Sequence, residues 1–228
     1  MQHELAFLHT SAVHIATFET LMQELAPGVK VHHHVDASLL SAAQQLGVAD
    51  ATVINSVHAA MQDAAASGAR LVVCTCSSIG GVAERMSGKA SLQTARIDRA
   101  MADRAVALGP RILLAAALES TLIPTTELLQ ESATALSTPV SISNLLIDGA
   151  WEFFLQGDSG AYRLAIANAI RQALQNDAAI DVVVLAQASM ATAVLELRDL
   201  DKEVLSSPRP GVVYALDHLQ KIAATPAA

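Results

Sequence analysis

Short apolar runs rich in Val, Ile and Leu alternate along the chain with longer amphipathic stretches. Strands of a parallel sheet, buried on both faces, leave this pattern when helices connect them. The runs predict strands over 5–8, 29–34, 70–75, 111–117, 140–143 and 181–186. The stretches between them predict helices over about 15–26, 38–46, 51–67, 92–107, 124–134, 148–156, 159–175 and 211–224. Strands alternating with helices indicate βαβ units. The longest apolar runs, such as 112–118, stop well short of the roughly 18 residues a membrane span needs, so they read as buried strands and no membrane partner is expected.

The second half of the chain echoes the first. Thr17, Glu19 and Leu21 recur as Thr125, Glu127 and Leu129, 108 residues on, and Val35-Asp36 recurs as Ile147-Asp148, 112 residues on. The stretch from Val72 through Cys76-Ser77-Ser78 to Ile79 recurs, 111 residues on, from Val183 through Gln187-Ala188-Ser189 to Met190. Three matches in the right order predict two pseudo-symmetric, Rossmann-like α/β lobes with parallel sheets. The active site is then expected in the cleft between them, at the C-terminal ends of the strands, where open α/β sheets bind ligands. The break at Leu108-Gly109-Pro110 and the run from Ser206 to Gly211 set the expected boundaries. Residues 1–107 with 208–228 form an N-terminal lobe carrying Cys76, and 108–207 a C-terminal lobe carrying Gln187. The last helix returns to the first lobe.

Charge and cysteine usage narrow the setting. The net charge is −8 and the 14 basic residues are scattered, which disfavours a nucleic-acid partner. An anionic substrate would be held by backbone amides at helix N-termini instead. The only two cysteines stand two apart, a spacing poorly suited to a disulfide, and the first residues lack the basic, apolar pattern of a signal peptide. A cytoplasmic protein is expected, and by size a homodimer.

Cys76 is the foremost chemical candidate. It stands where a buried strand gives way to Ser77-Ser78-Ile79-Gly80-Gly81, so its thiol is expected near a helix N-terminus with a lowered pKa, as nucleophile or acid–base group. Ser77 and Ser78 add hydroxyls for a carboxylate. Cys74, inside the strand, reads as a core residue.

A first-half strand ending in Cys and two small polar residues, repeated in the second half, resembles the aspartate/glutamate racemase superfamily. That group includes glutamate, aspartate and hydantoin racemases, maleate isomerase and arylmalonate decarboxylase. Its first signature ends in Cys-Asn-Thr, and Cys76-Ser77-Ser78 takes those places. The resemblance implies a cofactor-independent enzyme that acts at the α-carbon of a small amino or dicarboxylic acid. It also implies one thiol from each lobe on opposite faces of that carbon. Here the second signature, Gly-Cys-Thr in the racemases, reads Ala186-Gln187-Ala188. Glutamine is no acid or base near neutral pH, although it can hydrogen-bond a carboxylate or an enolate oxygen. The second catalytic group is therefore sought among His9, Glu119, Asp36 and Asp148. One-sided chemistry, as in a decarboxylase or a cis/trans isomerase, and carboxylate binding without turnover are the alternatives.

His9-Thr10-Ser11 stands where the racemases carry a substrate-contacting Asp-Ser pair, and Glu119-Ser120-Thr121 is its expected counterpart. Asp148 resembles the acid of the family's Leu-Val-Glu segment, with Asp36 as its first-half echo. Substrate contacts are thus expected from Thr10, Ser11, Ser77, Ser78, Ser120, Thr121, Gln187 and Ser189. Helix capping is the alternative use of the hydroxyls and acids. His32-His33-His34 lacks metal-ligand spacing, and alternate strand residues face opposite ways, so no metal site is expected. No cofactor is expected either. Gly80-Gly81 is no phosphate loop, and Lys30, Lys89, Lys202 and Lys221 all fall outside the expected cleft.

Overall fold

The computed structural model describes residues 4–87 and 92–224; Lys89 lies outside them. The chain divides into two compact units, Met1–Asp98 with Pro208–Ala228, and Arg99–Ser207.

The first unit runs β1 (Leu5–His9), α1 (Ile15–Leu25), β2 (Val31–Val35), α2 (Ser38–Leu46), α3 (Ala51–Ala65), β3 (Leu71–Cys74), α4 (Ser77–Glu84) and β4 (Thr94–Arg96). The last helix, α9 (Pro208–Ala224), completes it. Its four strands are parallel in the order β2-β1-β3-β4. The second unit runs α5 (Arg99–Leu108), β5 (Arg111–Ala116), α6 (Leu122–Ala135), β6 (Ser141–Leu146), α7 (Ala150–Leu155), α8 (Ser159–Asn176), β7 (Val182–Leu185), a 3-10 helix (Ala188–Leu197) and β8 (Glu203–Ser206). Its parallel sheet has the matching order β6-β5-β7-β8.

The central apolar runs are strands because each feeds two cores. On the first sheet Ala6, Leu8, Val72 and Cys74 pack under α2, α3 and α4, while Leu5, Phe7, Leu71 and Val73 pack on the opposite side with α1 and α9. On the second, Leu113, Ala115, Val183 and Leu185 face α8, and Ile112, Leu114, Val182 and Val184 face α5 and α6. Each fully buried Leu or Phe side chain contributes about 1.5–3 kcal/mol, which is what holds the central strands in register.

Three sequence expectations are corrected. The helix expected over 92–107 is β4 followed by α5; Thr94-Ala95-Arg96 is too short and too polar to register as an apolar run, yet it pairs with β3. Glu203–Ser206 adds β8 to β7 in the same way. The first boundary falls at Asp98/Arg99, ahead of α5 rather than after residue 107, because Met101, Ala102, Ala105 and Val106 are buried in the second unit's core. The Leu108-Gly109-Pro110 break is instead the turn from α5 into β5. The last helix packs on the first unit so closely that a Cβ at Gly211 would lie 2.0 Å from the Ile97 carbonyl. Among the described residues no helix is long and apolar enough to cross a membrane.

Candidate active site

β3 ends at Cys74 in the middle of its sheet, and two residues later the chain turns into α4. Strand pleating sends successive side chains to opposite faces. Cys74 enters the core beneath α3, where burial drives its thiol far above the ordinary range, and its Sγ lies 3.6 Å from the Cys76 carbonyl. Thr75 turns the other way, and both its amide and its hydroxyl donate to the Leu8 carbonyl, at 2.9 and 3.0 Å. Cys76 is then the N-cap of α4, half-buried, with extended φ and ψ of −94° and 115°. The hydroxyls of Thr10 and Ser78 and the amides of Ser78 and Ile79 meet its sulfur.

Those four groups favour a thiolate, but burial is the larger effect and the net result raises the thiol's pKa. This corrects the lowered value expected from a helix N-terminus. Desolvating a thiolate costs more than a few partly aligned donors return. Cys76 therefore rests as a thiol near neutral pH, a proton donor until something removes its proton.

His9, the last residue of β1, is completely buried. Because the Thr75 hydroxyl donates to Leu8, it must accept from His9 Nδ1, at 2.8 Å. That puts the His9 proton on Nδ1 and leaves Nε2 to accept from His33 Nδ1, at 2.9 Å. Burial, aided by the nearby His33 and His14, lowers the His9 pKa to about 3. The ring is neutral and both nitrogens are committed, so His9 braces the end of β1 against β2 and β3. His32 and His34 stand on one side of β2, their ring centroids 6.4 Å apart, and His33 on the other. Among the described residues no cluster of three His, Cys, Asp or Glu side chains could hold a metal ion. A groove of about 820 Å³ runs along α1 and β2, with Glu19, Glu24 and His33 in its wall. Cys76 and its neighbours do not line it.

Sequence reasoning missed the support behind α4. Arg96, on β4, and Asp98 form a buried, two-pronged ion pair, Nε to Oδ1 at 2.6 Å and Nη2 to Oδ2 at 3.0 Å. The same Nη2 donates to the Ser77 carbonyl at 3.4 Å. Removing either partner of such a pair strands a buried charge, at about 3–5 kcal/mol. Two adjacent glycines within an eight-residue helix were the available signal. Each costs about 1 kcal/mol relative to alanine, so a packing reason is implied. A Cβ at Gly80 would stand 3.1 Å from Arg96 Nε.

In the second unit the same strand end carries Gln187. Leu8 pairs with Cys74 as Ala115 pairs with Leu185, so Cys76 and Gln187 occupy equivalent places. Gln187 caps the 3-10 helix and is buried. Its Oε1 accepts from the amides of Ala117 and Leu118, at 2.7 and 3.1 Å. The glutamine thus satisfies its own unit's backbone. Ser189 is hydrogen-bonded to the buried Tyr162 hydroxyl at 2.9 Å, and burial pushes the Tyr162 pKa up to about 12.

Register corrects the remaining correspondences. His9 pairs with Val35 as Ala116 pairs with Leu146, so Asp36 matches Ile147, and Asp148 lies one residue beyond. The 3-10 turns Ala12–His14 and Glu119–Thr121 correspond, so Thr10 and Ser11 match Ala117 and Leu118 rather than Ser120 and Thr121. Asp36 accepts from the Ser38 amide and hydroxyl, at 2.9 and 2.6 Å, which makes it a capping residue of α2. Glu119 and Asp148 are exposed, Ser120 is half-buried and Thr121 is buried. The structure therefore brings Thr10 and Ser78 to Cys76, sets the Ser77 carbonyl against Arg96, leaves Ser11 half-buried at the turn after β1, and commits His9 and Asp36 elsewhere.

No protein-family model matches the chain, and no curated protein matches it. Solved structures do. A glutamate racemase of Bacillus anthracis superposes with a TM-score of 0.73 at 12% identity, over 96% of this chain and 82% of its own. An aspartate racemase of Picrophilus torridus gives 0.71 at 12%, over 96% and 95%. A Gly74Cys mutant of arylmalonate decarboxylase in its sulfate-associated form gives 0.58 at 17%, over 98% and 94%. The chain shares the fold of these racemases, two Rossmann-like units with parallel sheets.

Proposed function

We propose that the protein is a cofactor-independent enzyme of the racemase type, acting at the α-carbon of a small amino or dicarboxylic acid with Cys76 as the proton-transferring thiol. One observation carries this reading: a half-buried thiol at the end of a central strand, met by the Thr10 and Ser78 hydroxyls and the first amides of α4, in a chain with the racemase fold. The carboxylate lies against amides and hydroxyls of the turns after β1 and β3. In the second unit the Ala117 and Leu118 amides already hold an oxygen, that of Gln187. The equivalent Thr10 and Ser11 amides offer the same two donors to a substrate carboxylate. A thiol that rests protonated suits the protonation of a carbanion or enolate, and a bound substrate must lower its pKa before it can abstract a proton.

The engaged Gln187 favours the one-sided form of this chemistry. A carboxamide is neither acid nor base near neutral pH, and this one is held by the Ala117 and Leu118 amides, so Cys76 serves a single face. Decarboxylation followed by protonation, or cis/trans isomerisation through Cys76 addition, fits that constraint. The test is incubation with a panel of small amino and dicarboxylic acids in deuterated water, following the α-proton by NMR, configuration by chiral chromatography, and carbon dioxide release. Exchange, isomerisation or decarboxylation that disappears in Cys76→Ser supports the reading. A panel in which no acid changes leaves a carboxylate-binding protein.

A further inference from the structure

The Arg96–Asp98 pair is buried and lies on α4, whose N-terminus meets the reactive thiol, and nothing in the proton-transfer scheme uses it. The guanidinium packs against the start of α4. Its Nη2 reaches the Ser77 carbonyl, and Cβ atoms built at Gly80 and Gly81 would stand 3.1 and 3.3 Å from its Nε and Nη1. The two glycines are thus the space the guanidinium occupies. Asp98 holds it there through both oxygens, which fixes the plane of the guanidinium as well as its position.

The second unit provides an internal control. Cys74 pairs with Arg96 as Leu185 pairs with Ser206, so a serine stands where the first unit has its arginine, and Pro208 stands two residues further on. The turn after β7 bears Gln187 and continues as a 3-10 helix, whereas the turn after β3 bears the thiol and continues as an α-helix. The clamp accompanies the thiol.

We propose that Arg96 is a positioning residue: held by Asp98, it clamps the first turn of α4 so that the Ser78 and Ile79 amides stay aimed at the Cys76 sulfur. It works through Ser77 and touches no substrate. The titratable and charged groups on the elements around Cys76 are His9 at the end of β1, His58 and Asp63 on α3, Cys74 on β3, Glu84 and Arg85 at the end of α4, and Arg96 with Asp98. Only Arg96 and Asp98 change in the variants below.

The experiment is the rate of iodoacetamide alkylation against pH on the full chain, with the adduct located on Cys76 by mass spectrometry. Arg96→Met is the direct variant. Arg96→Met combined with Asp98→Leu removes both charges together, the change a buried pair tolerates best. The expected result is a midpoint about one pH unit higher than wild type, hence roughly tenfold slower alkylation below both midpoints. Arg96→Lys should move the midpoint the same way by less. A folded variant with the wild-type midpoint overturns the proposal, and so does failure of both the single and the double variant to fold, which would make the pair a folding determinant only. The proposal rests on Cys76 being the reactive thiol. A wild-type Cys76 that resists alkylation over the whole range sinks that reading itself, whereas a reactive wild type with unchanged variants sinks only the role of Arg96.

Discussion

Cys76 and Gln187 occupy the same place in two similar units, each two residues past a central strand and each capping the helix that follows. Around Cys76 the backbone amides meet the sulfur of a short side chain, and the residue is half-buried. Around Gln187 a longer side chain folds back, and its oxygen closes the turn by accepting from Ala117 and Leu118. The supports differ in step: a buried arginine–aspartate pair backs the first helix, and a serine replaces that arginine in the second unit. One scaffold thus carries a turn that presents a thiol to backbone amides and hydroxyls, and a turn closed on its own glutamine. The same place in the fold is filled differently by a short and a long side chain.

The largest effect expected from this contrast is on turnover. Cys76→Ser should lower activity by about 10²–10⁴-fold, the usual range for a lost acid–base group. Gln187→Ala, measured in the same assay, should cost far less. Equal losses at the two positions would break the comparison.

Acid stability comes next. His9 is neutral down to about pH 3 in the folded chain, whereas an exposed histidine titrates near 6.5. Its stabilising effect is complete above about 6.5. As the pH falls further, the unfolded chain takes up a proton that the folded chain refuses, so stability drops by about 1.4 kcal/mol per pH unit down to about 3. Burial lowers His14 and His33 as well, with the same sign. Ala116 stands at the equivalent place in the second unit, so hydrogen exchange between pH 7 and 4 should show the first unit losing protection first. Uniform loss would contradict the assignment of His9 as a neutral brace.

A smaller effect tests the closed turn. Gln187→Leu leaves two backbone amides without their acceptor, for an expected loss of about 1–3 kcal/mol in urea unfolding. Gln187→Glu should retain most of the stability at pH 7, since an ionised carboxylate accepts from the same amides. If leucine and glutamate are equally stable, the Gln187 hydrogen bonds do not matter. Smallest of all, Tyr162→Phe removes one hydrogen bond to Ser189 and should cost about 0.5–1.5 kcal/mol.

Much of this was legible in the sequence because it depends on burial. Runs such as 70–75 and 181–186 declare central strands, and the match of Cys76 with Gln187 survives in the register of both sheets. The matches of Thr17 with Thr125 and of Asp36 with Asp148 are each one residue out, since similar letters on a helix or at a strand end do not fix register as a hydrogen-bonded ladder does. β4 and β8 were hidden because three or four residues containing Arg96 or Glu203 leave no apolar run. The Cys76 thiol departs from its expected pKa because proximity to a helix N-terminus can be read from spacing, while the burial that outweighs it cannot. The ion pair behind α4 left only the mark of Gly80-Gly81, which a sequence alone does not connect to an arginine sixteen residues later.

On the proposed reading Cys76 alone moves a proton, and on one face. The most direct measurement uses a turned-over acid in deuterated water and compares the rate of α-deuterium incorporation with the rate at which configuration is lost. Deuterium is expected to enter with one configuration, and incorporation to vanish in Cys76→Ser. Racemisation keeping pace with incorporation would contradict the single-face reading, and incorporation that persists without the thiol would contradict the role of Cys76 altogether.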